Sequence, residues 1–265
     1  MIWQAALAVA AGVPIGLQLG ATGTGGALLA VPMMVYIAGI PVQQAAAMSL
    51  VIVAATALVG SWEYAKIGQI RAKAALAFSW TGIIGSWGGA YAHKLIPGEV
   101  LLIGFGVMLL IARALMVRYG GLASLPDKEK PCAATFPRTC WVKVAAIGLA
   151  VGAVNGFFGV GGGFMIVPTL VLALGFTPRL AVGTSLTIIA LISIGGIVGH
   201  VQFGSFDPRL AALVIAGSVL GILLGARLGR VASPQAVSAI AATITVSFAL
   251  WLIVSNMIKL WGLQV

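Results

Sequence analysis

The chain has 265 residues, 61% hydrophobic and only 8% charged, with a mean hydropathy of +1.13 and a net charge of +10. A soluble domain carries roughly 25% charged residues, so this composition excludes a water-covered globule and makes lipid the main solvent. The basic excess forms no continuous face and comes with no groove-reading motif, which argues against nucleic acid; it reads instead as the Lys/Arg bias that orients membrane segments.

The first apolar segment, about 2–20, has no basic residue before it. It lacks the positive start of a signal peptide and is expected to remain as the first membrane helix. Four more apolar segments follow at about 26–39, 43–65, 72–95 and 98–119. The second of these is short and fits a half-spanning or tilted helix, because a straight crossing takes 17–25 residues. A polar stretch, 120–140, then interrupts the apolar pattern. It contains Cys132 and Cys140, whose spacing fits neither a CxxC nor a zinc pattern; both are expected as reduced thiols in a cytoplasmic loop. Five further apolar segments run at about 141–157, 162–175, 179–202, 208–230 and 234–258.

The two sets of five are copies of one unit. A displacement of 136 positions places Gly12, Gly16, Gly20, Gly23, Gly25 and Gly26 on Gly148, Gly152, Gly156, Gly159, Gly161 and Gly162. Pro32 falls on Pro168, Gly39 on Gly175, and Ser49-Leu50 on Ser185-Leu186. Shared glycines and prolines carry more weight than matches between common apolar residues. The expected organisation is a first transmembrane repeat (1–119), a cytoplasmic linker (120–140) and a second repeat (141–265). If each copy crosses an odd number of times, one side collects Lys66, Arg71, Lys73, Arg113, Arg118, Lys128, Lys130, Arg138, Lys143, Arg179, Arg227 and Arg230, leaving Lys94, Arg209 and Lys259 on the other. The rich side is expected inside and both termini outside. The fold class is therefore an all-α polytopic membrane protein with two inverted repeats. Trp3, Trp62, Trp141, Trp251 and Trp261 fall near segment ends and read as interfacial anchors.

Each copy breaks after its first segment, at "GATGTGGALLAVP" (20–32) and "GFFGVGGGFMIVP" (156–168). Irregular backbone inside a membrane is tolerated only where protein buries it or it lines a wet cavity. A helix starting after such a break presents free N–H groups and a positive dipole end, which suits an anion. The competing reading is close helix packing, and it fits the upstream run Gly12-xxx-Gly16-xxx-Gly20 and its copy best.

These paired motifs, with "AVGTSL" at 181–186 and "AAAMSL" at 45–50, resemble the sulfite exporter TauE/SafE family over nearly the whole chain. The resemblance implies a carrier of sulfite, an organosulfonate or a similar small anion. One departure is Ala47-Met48 in the first copy, where the second has Gly183-Thr184.

The candidate ligands are the backbone at Gly25, Gly26, Gly159, Gly161, Gly162 and Gly163, and the side chains of Gln18, Thr22, Thr24, Ser49, Asn155, Thr184 and Ser185. Each of these side chains has a plain alternative, a hydrogen bond to a neighbouring helix. Glu63 is either an ion pair with Lys66 or a proton-coupling carboxylate. His200 and Arg179 are candidates on the transport path, with interfacial roles as the alternative. Arg113 and Arg118 read as snorkelling residues. The expected partners are a small anionic substrate, the lipid bilayer of a bacterial inner membrane, protons as coupling ion and a second copy in a homodimer. No cofactor and no metal are expected. An anion channel, a membrane-embedded enzyme and a purely structural partner are the rival functions; no HExxH motif or Ser/His/Asp set favours an enzyme.

Overall fold

The computed structural model describes residues 2–22, 26–36, 39–93, 95–118, 138–158, 163–200, 208–231 and 234–260. Its described elements are ten α-helices. The first five are α1 (Ile2–Thr22), α2 (Gly26–Tyr36), α3 (Val42–Lys66), α4 (Ala72–His93) and α5 (Gly98–Arg118). The second five are α6 (Arg138–Phe158), α7 (Gly163–Leu172), α8 (Pro178–His200), α9 (Pro208–Val231) and α10 (Pro234–Leu260). An all-helical answer follows from the solvent, because only helices and closed barrels satisfy every backbone group within hydrocarbon. Gln44–Lys66, Cys140–Phe158, Pro178–Val198 and Pro208–Leu228 are long and apolar enough to cross a membrane.

α2 and α7 have 11 and 10 residues. At 1.5 Å per residue they span roughly 15 Å, about half the hydrocarbon thickness. Both stop in the same way. Gly39 and Gly175, 136 positions apart, take φ values of 66° and 71°. The N–H of Ile40 then reaches Met34 O at 3.4 Å, and the N–H of Phe176 reaches Leu170 O at 3.0 Å. This is the left-handed glycine cap, which returns orphan carbonyls of the last turn to a partner.

The repeat is visible in the packing. On α1, a Cβ added to Gly12, Gly16 or Gly20 would strike the carbonyls of Val214, Ser218 and Ile222 on α9. On α6, a Cβ added to Gly148, Gly152 or Gly156 would strike those of Phe78, Gly82 and Ser86 on α4. The second set is the first with the copies exchanged, position for position. The reverse contacts agree: Gly221 and Gly225 meet the carbonyls of Val13 and Leu17, while Gly85 and Gly89 meet those of Leu149 and Ala153. Each copy's first helix thus locks onto the other copy's fourth.

α3 and α8, which are equivalent in the two copies, pack on each other at the centre. A Cβ added to Gly60 would lie 3.1 Å from Leu186 Cδ1, and one added to Gly196 would lie 3.0 Å from Leu50 Cδ1. The hydroxyls of Ser61 and Thr187 share a 2.7 Å hydrogen bond. Position rises along α3 as it falls along α8, so these equivalent helices run antiparallel. A two-fold axis relating antiparallel helices lies across them, and the copies point in opposite directions. α4 runs parallel to α8, since Gly82 packs on Ile192, Gly195 on Ile83 and Gly196 on Ser86.

One expectation changes. Cys140 is buried and disulfide-bonded rather than a free thiol; Cys132, the other cysteine, lies outside the described residues. Among the tryptophans, Trp62 and Trp141 are exposed near helix ends and Trp251 is exposed nine residues before the end of α10, while Trp80 and Trp87 are exposed within α4. They form an outward stripe with Leu76, Ile84 and Tyr91, so aromatic residues on this helix are not confined to the interfaces.

Glycine substitutions should therefore separate by position. Gly16→Val and Gly152→Val should each lower stability by about 1–3 kcal/mol or more, the cost of overpacking. Gly88→Ala meets nothing within 4 Å and should be neutral or stabilising by up to about 1 kcal/mol. Melting curves of the purified variants in detergent check both directions.

Candidate functional site

The ends of α1 and α6, after which the chain breaks, are displaced toward opposite ends of the bundle. The end of α1 is held by Tyr64, whose hydroxyl donates to Gly20 O at 3.2 Å, so α1 stops beside the C-terminal end of α3. The end of α6 is held by His93, whose Nδ1 lies 2.6 Å from Phe157 O, so α6 stops beside the C-terminal end of α4. A carbonyl can only accept, so Nδ1 carries the proton in this contact. α8 is antiparallel to α3 and parallel to α4, which places those two C-terminal ends on opposite faces. Gly20 meets Ile222 beside Gly60 and Leu186, and Gly156 meets Ser86 beside Gly196, so along α8 the ends of α1 and α6 are only about ten residues apart, roughly 15 Å at 1.5 Å per residue.

The first end is organised by the turn between α3 and α4. Gly68, at φ 69°, reverses the chain, and the N–H of Gln69 returns to Tyr64 O at 3.0 Å. The turn then folds onto α8. A Cβ at Gly183 would collide with Gln69 O, and the N–H of Arg71 donates to Thr184 Oγ1 at 3.1 Å. The Gly183-Thr184 pair therefore serves the local structure, with glycine opening the space and threonine supplying an acceptor. Glu63 accepts from Lys66 Nζ at 2.6 Å across one helical turn at the protein surface, which is the ion-pair arrangement. Arg179 is exposed at the start of α8.

Ser49 and Ser185 are equivalent in the repeat and behave alike. Each donates to a carbonyl three residues earlier, Ala46 O and Val182 O, both at 2.8 Å. Their hydrogens are used within their own helices, and their oxygens retain acceptor capacity. Gln18 is buried inside the bundle, 6% exposed, so it does not face lipid.

The second end is more polar. Asn155 is 1% exposed, and neither amide atom has a hydrogen-bond partner among the described residues. Ser86 is fully buried with its hydroxyl likewise unpartnered. It lies where α4 meets Gly156 of α6 and Gly196 of α8. His93 is buried about two turns beyond Ser86, at the close of α4. Neither Ser86 nor His93 is singled out by sequence reasoning. His93 ends an apolar segment and precedes Lys94, which resembles an ordinary interfacial pair; its contact with Phe157 comes from a helix 64 positions away.

Gly26 and Gly163 are the first residues of α2 and α7. Helix starts leave N–H groups without intrahelical partners, so both positions retain the property expected of an anion ligand. Thr24, Gly25, Gly159, Gly161 and Gly162 lie outside the described residues, as do the side chains of Thr22, Arg113 and His200.

The family described as "Sulfite exporter TauE/SafE" matches residues 8–252. A probable membrane transporter protein of Xylella fastidiosa (strain Temecula1) is 30% identical over 90% of this chain and 91% of its own length. A second, from strain 9a5c, is 32% identical over 80% of this chain and 79% of its own. The Bacillus subtilis probable membrane transporter protein YdhB is 28% identical over 80% and 85%. No solved structure matches the chain significantly.

The geometry at the first end makes Thr184 a test of structure against ligand binding. Thr184→Val keeps the shape and removes the acceptor for the Arg71 N–H. It should lower stability by about 0.5–1.5 kcal/mol, the net worth of one hydrogen bond, here at a part-buried donor, while leaving substrate affinity within twofold or so, far below the tenfold that about 1.4 kcal/mol would produce. Paired melting and binding curves read the two effects separately.

Proposed function

The chain belongs to the sulfite exporter TauE/SafE family of membrane transporters, and we propose that it carries a small sulfur-containing anion, sulfite or an organosulfonate, across the cytoplasmic membrane by alternating access. The observation that carries this reading is the antiparallel packing of equivalent helices α3 and α8. In such a scaffold each face is built from the same elements, so an exchange of conformation between the copies closes one face and opens the other.

The chemistry of the anion follows from the scarcity of charge. Only 8% of residues are charged, and the cations cluster toward the ends of helices. An anion within the bundle must then be held by oriented dipoles. The starts of α2 and α7 each supply about half an elementary charge. Neither dipole carries a full charge, so the hold on the anion is weak enough to permit release. Asn155, Gln18 and the acceptor-capable hydroxyls of Ser49 and Ser185 are the proposed polar lining.

Orientation is argued from charge. The face with the α3–α4 turn and the start of α8 holds twelve of the fifteen Lys and Arg residues when the segments alternate as the sequence implies, so we place it inside and the termini outside. The disulfide at Cys140 argues the other way, because disulfides persist in oxidising compartments. Twelve charges against three outweigh one bond.

Transport is tested in proteoliposomes with sulfite, sulfate, thiosulfate, sulfoacetate and taurine. At least one should show saturable flux and counterflow; an ohmic current without saturation would make the protein a channel. Orientation is tested in a background with both cysteines changed to serine. Leu95→Cys, on a 78% exposed residue, should react with an impermeant maleimide in intact cells, and Lys66→Cys only after permeabilisation. The reverse pattern would invert the topology.

A further inference from the structure

The two breaks are built on equivalent scaffolds but decorated differently. At the second, the corner between α4, α6 and α8 contains Ser86, and Asn155 is the buried residue of α6 next to Gly156, which packs there. Shifted by 136 positions, the corresponding residues at the first are Leu19 and Ile222, both fully buried. The contacts around them match: Gly156 packs on Ser86 as Gly20 packs on Ile222, and Gly196 faces Ser86 Oγ as Gly60 faces Ile222 Cδ1. The fold therefore closes this corner with leucine and isoleucine in one copy. Polar atoms are not needed to pack it in the other.

Leaving a buried amide and hydroxyl without partners is unfavourable. Asn155 has both its donor and its acceptor in that state, as does the Ser86 hydroxyl. A role within the fold would show as a hydrogen bond within its own helix or to a neighbouring one, as with Asn256, which donates to Leu252 O of its own helix and to Tyr36 OH of α2, both at 2.8 Å. Asn155 and Ser86 make no such bond among the described residues. The carbonyl of Phe157, two residues beyond Asn155, is already held by His93, so the end of α6 does not recruit the amide either.

We propose that Asn155 and Ser86 form a one-sided substrate subsite at the end of α6, with no counterpart at the end of α1, and that it selects anions bearing an O–H or N–H. This inference rests on the anion-transport reading and deepens it. The side-chain N–H₂ of Asn155 and the Ser86 hydroxyl donate to anionic oxygens, while Asn155 Oδ1 can only accept. A fully ionised dianion such as sulfate would leave that acceptor bare. A monoanion with a remaining proton, such as hydrogensulfite, or a sulfonate with an ammonium group, such as taurine, satisfies both sides of the amide. Raising the pH until sulfite loses its second proton should then weaken its binding.

The test is calorimetry with sulfite, taurine and sulfate on the purified full chain in nanodiscs, alongside melting curves without anion. Wild type should bind sulfite in mildly acidic buffer at least about tenfold more tightly than sulfate, as expected when a buried hydrogen-bonding group is left unpaired. Asn155→Leu, the residue the first copy carries, should weaken sulfite about tenfold or more while melting at the same or a higher temperature. Ser86→Ala should weaken it by about threefold or more, a fraction of one hydrogen bond. Sulfite affinity unchanged in Asn155→Leu would overturn the subsite, because the amide then holds only water. Should that variant fail to fold, unchanged affinity in Ser86→Ala decides against the proposal equally. Sulfate binding as tightly as sulfite overturns the selectivity. If wild type neither binds nor transports any anion, the transport reading itself fails; if it transports sulfite and both variants match it, only the subsite fails.

Discussion

Helices in lipid gain nothing by hiding apolar surface from one another, since the surrounding chains are equally apolar. Association has to come from close van der Waals contact and from hydrogen bonds. In this protein that contact is made by glycines against backbone carbonyls, along α1 with α9 and along α4 with α6. The approach is so close that no side chain fits between the helices. Both contacts cross from one copy to the other, so neither set of five helices holds its first or fourth member by itself. The halves are one folding unit, whatever their origin as separate repeats.

That constraint positions everything that bears on transport. With α1 locked to α9 and α6 to α4, the remaining equivalent pair, α3 and α8, fills the centre in antiparallel register. The short helices α2 and α7 then lie against α3 and α8 respectively. Each starts where its preceding helix stops, and those stopping points are held by different residues: Tyr64 from α3 at one end and His93 from α4 at the other. A tyrosine hydroxyl and an imidazole perform the same act of anchoring a terminal carbonyl, from different helices. The backbone obeys the two-fold relation more closely than the side chains do.

Much of this is legible in the sequence. Glycine and proline are sparse markers with strong backbone consequences, so their common spacing identifies the repeat and its offset, and the same offset governs the atomic contacts. Segment limits are readable to within a few residues because membrane helices end where apolar sequence ends. The short second segments are visible from length alone. Pairing of helices is not legible, since a helix apolar on every side carries no stripe that would name its partner. How far apart the ends of α1 and α6 stand depends on that pairing, so the sequence does not give it. The contact of Thr184 with the backbone N–H of Arg71 is not legible either, because that partner comes from 113 positions away and leaves no trace in composition. Ser86 and His93 escape notice for the same reason.

A perfectly symmetric pair of copies would give the inward and outward arrangements equal energy and identical lining, which suits exchange but favours neither face. Sequence differences that preserve the glycine contacts leave the scaffold able to invert, while differences elsewhere bias it. The substitutions from Leu19 to Asn155 and from Ile222 to Ser86 are of the second kind: they keep the packing partners and change only hydrogen-bonding capacity. An anion resting at the polar corner stabilises whichever arrangement completes it, by the difference in its affinity for the two. The apolar corner at the other end gives no comparable hold. A scaffold of equivalent halves with one polar corner therefore has a built-in direction of preference for its ligand, set by two side chains rather than by the fold.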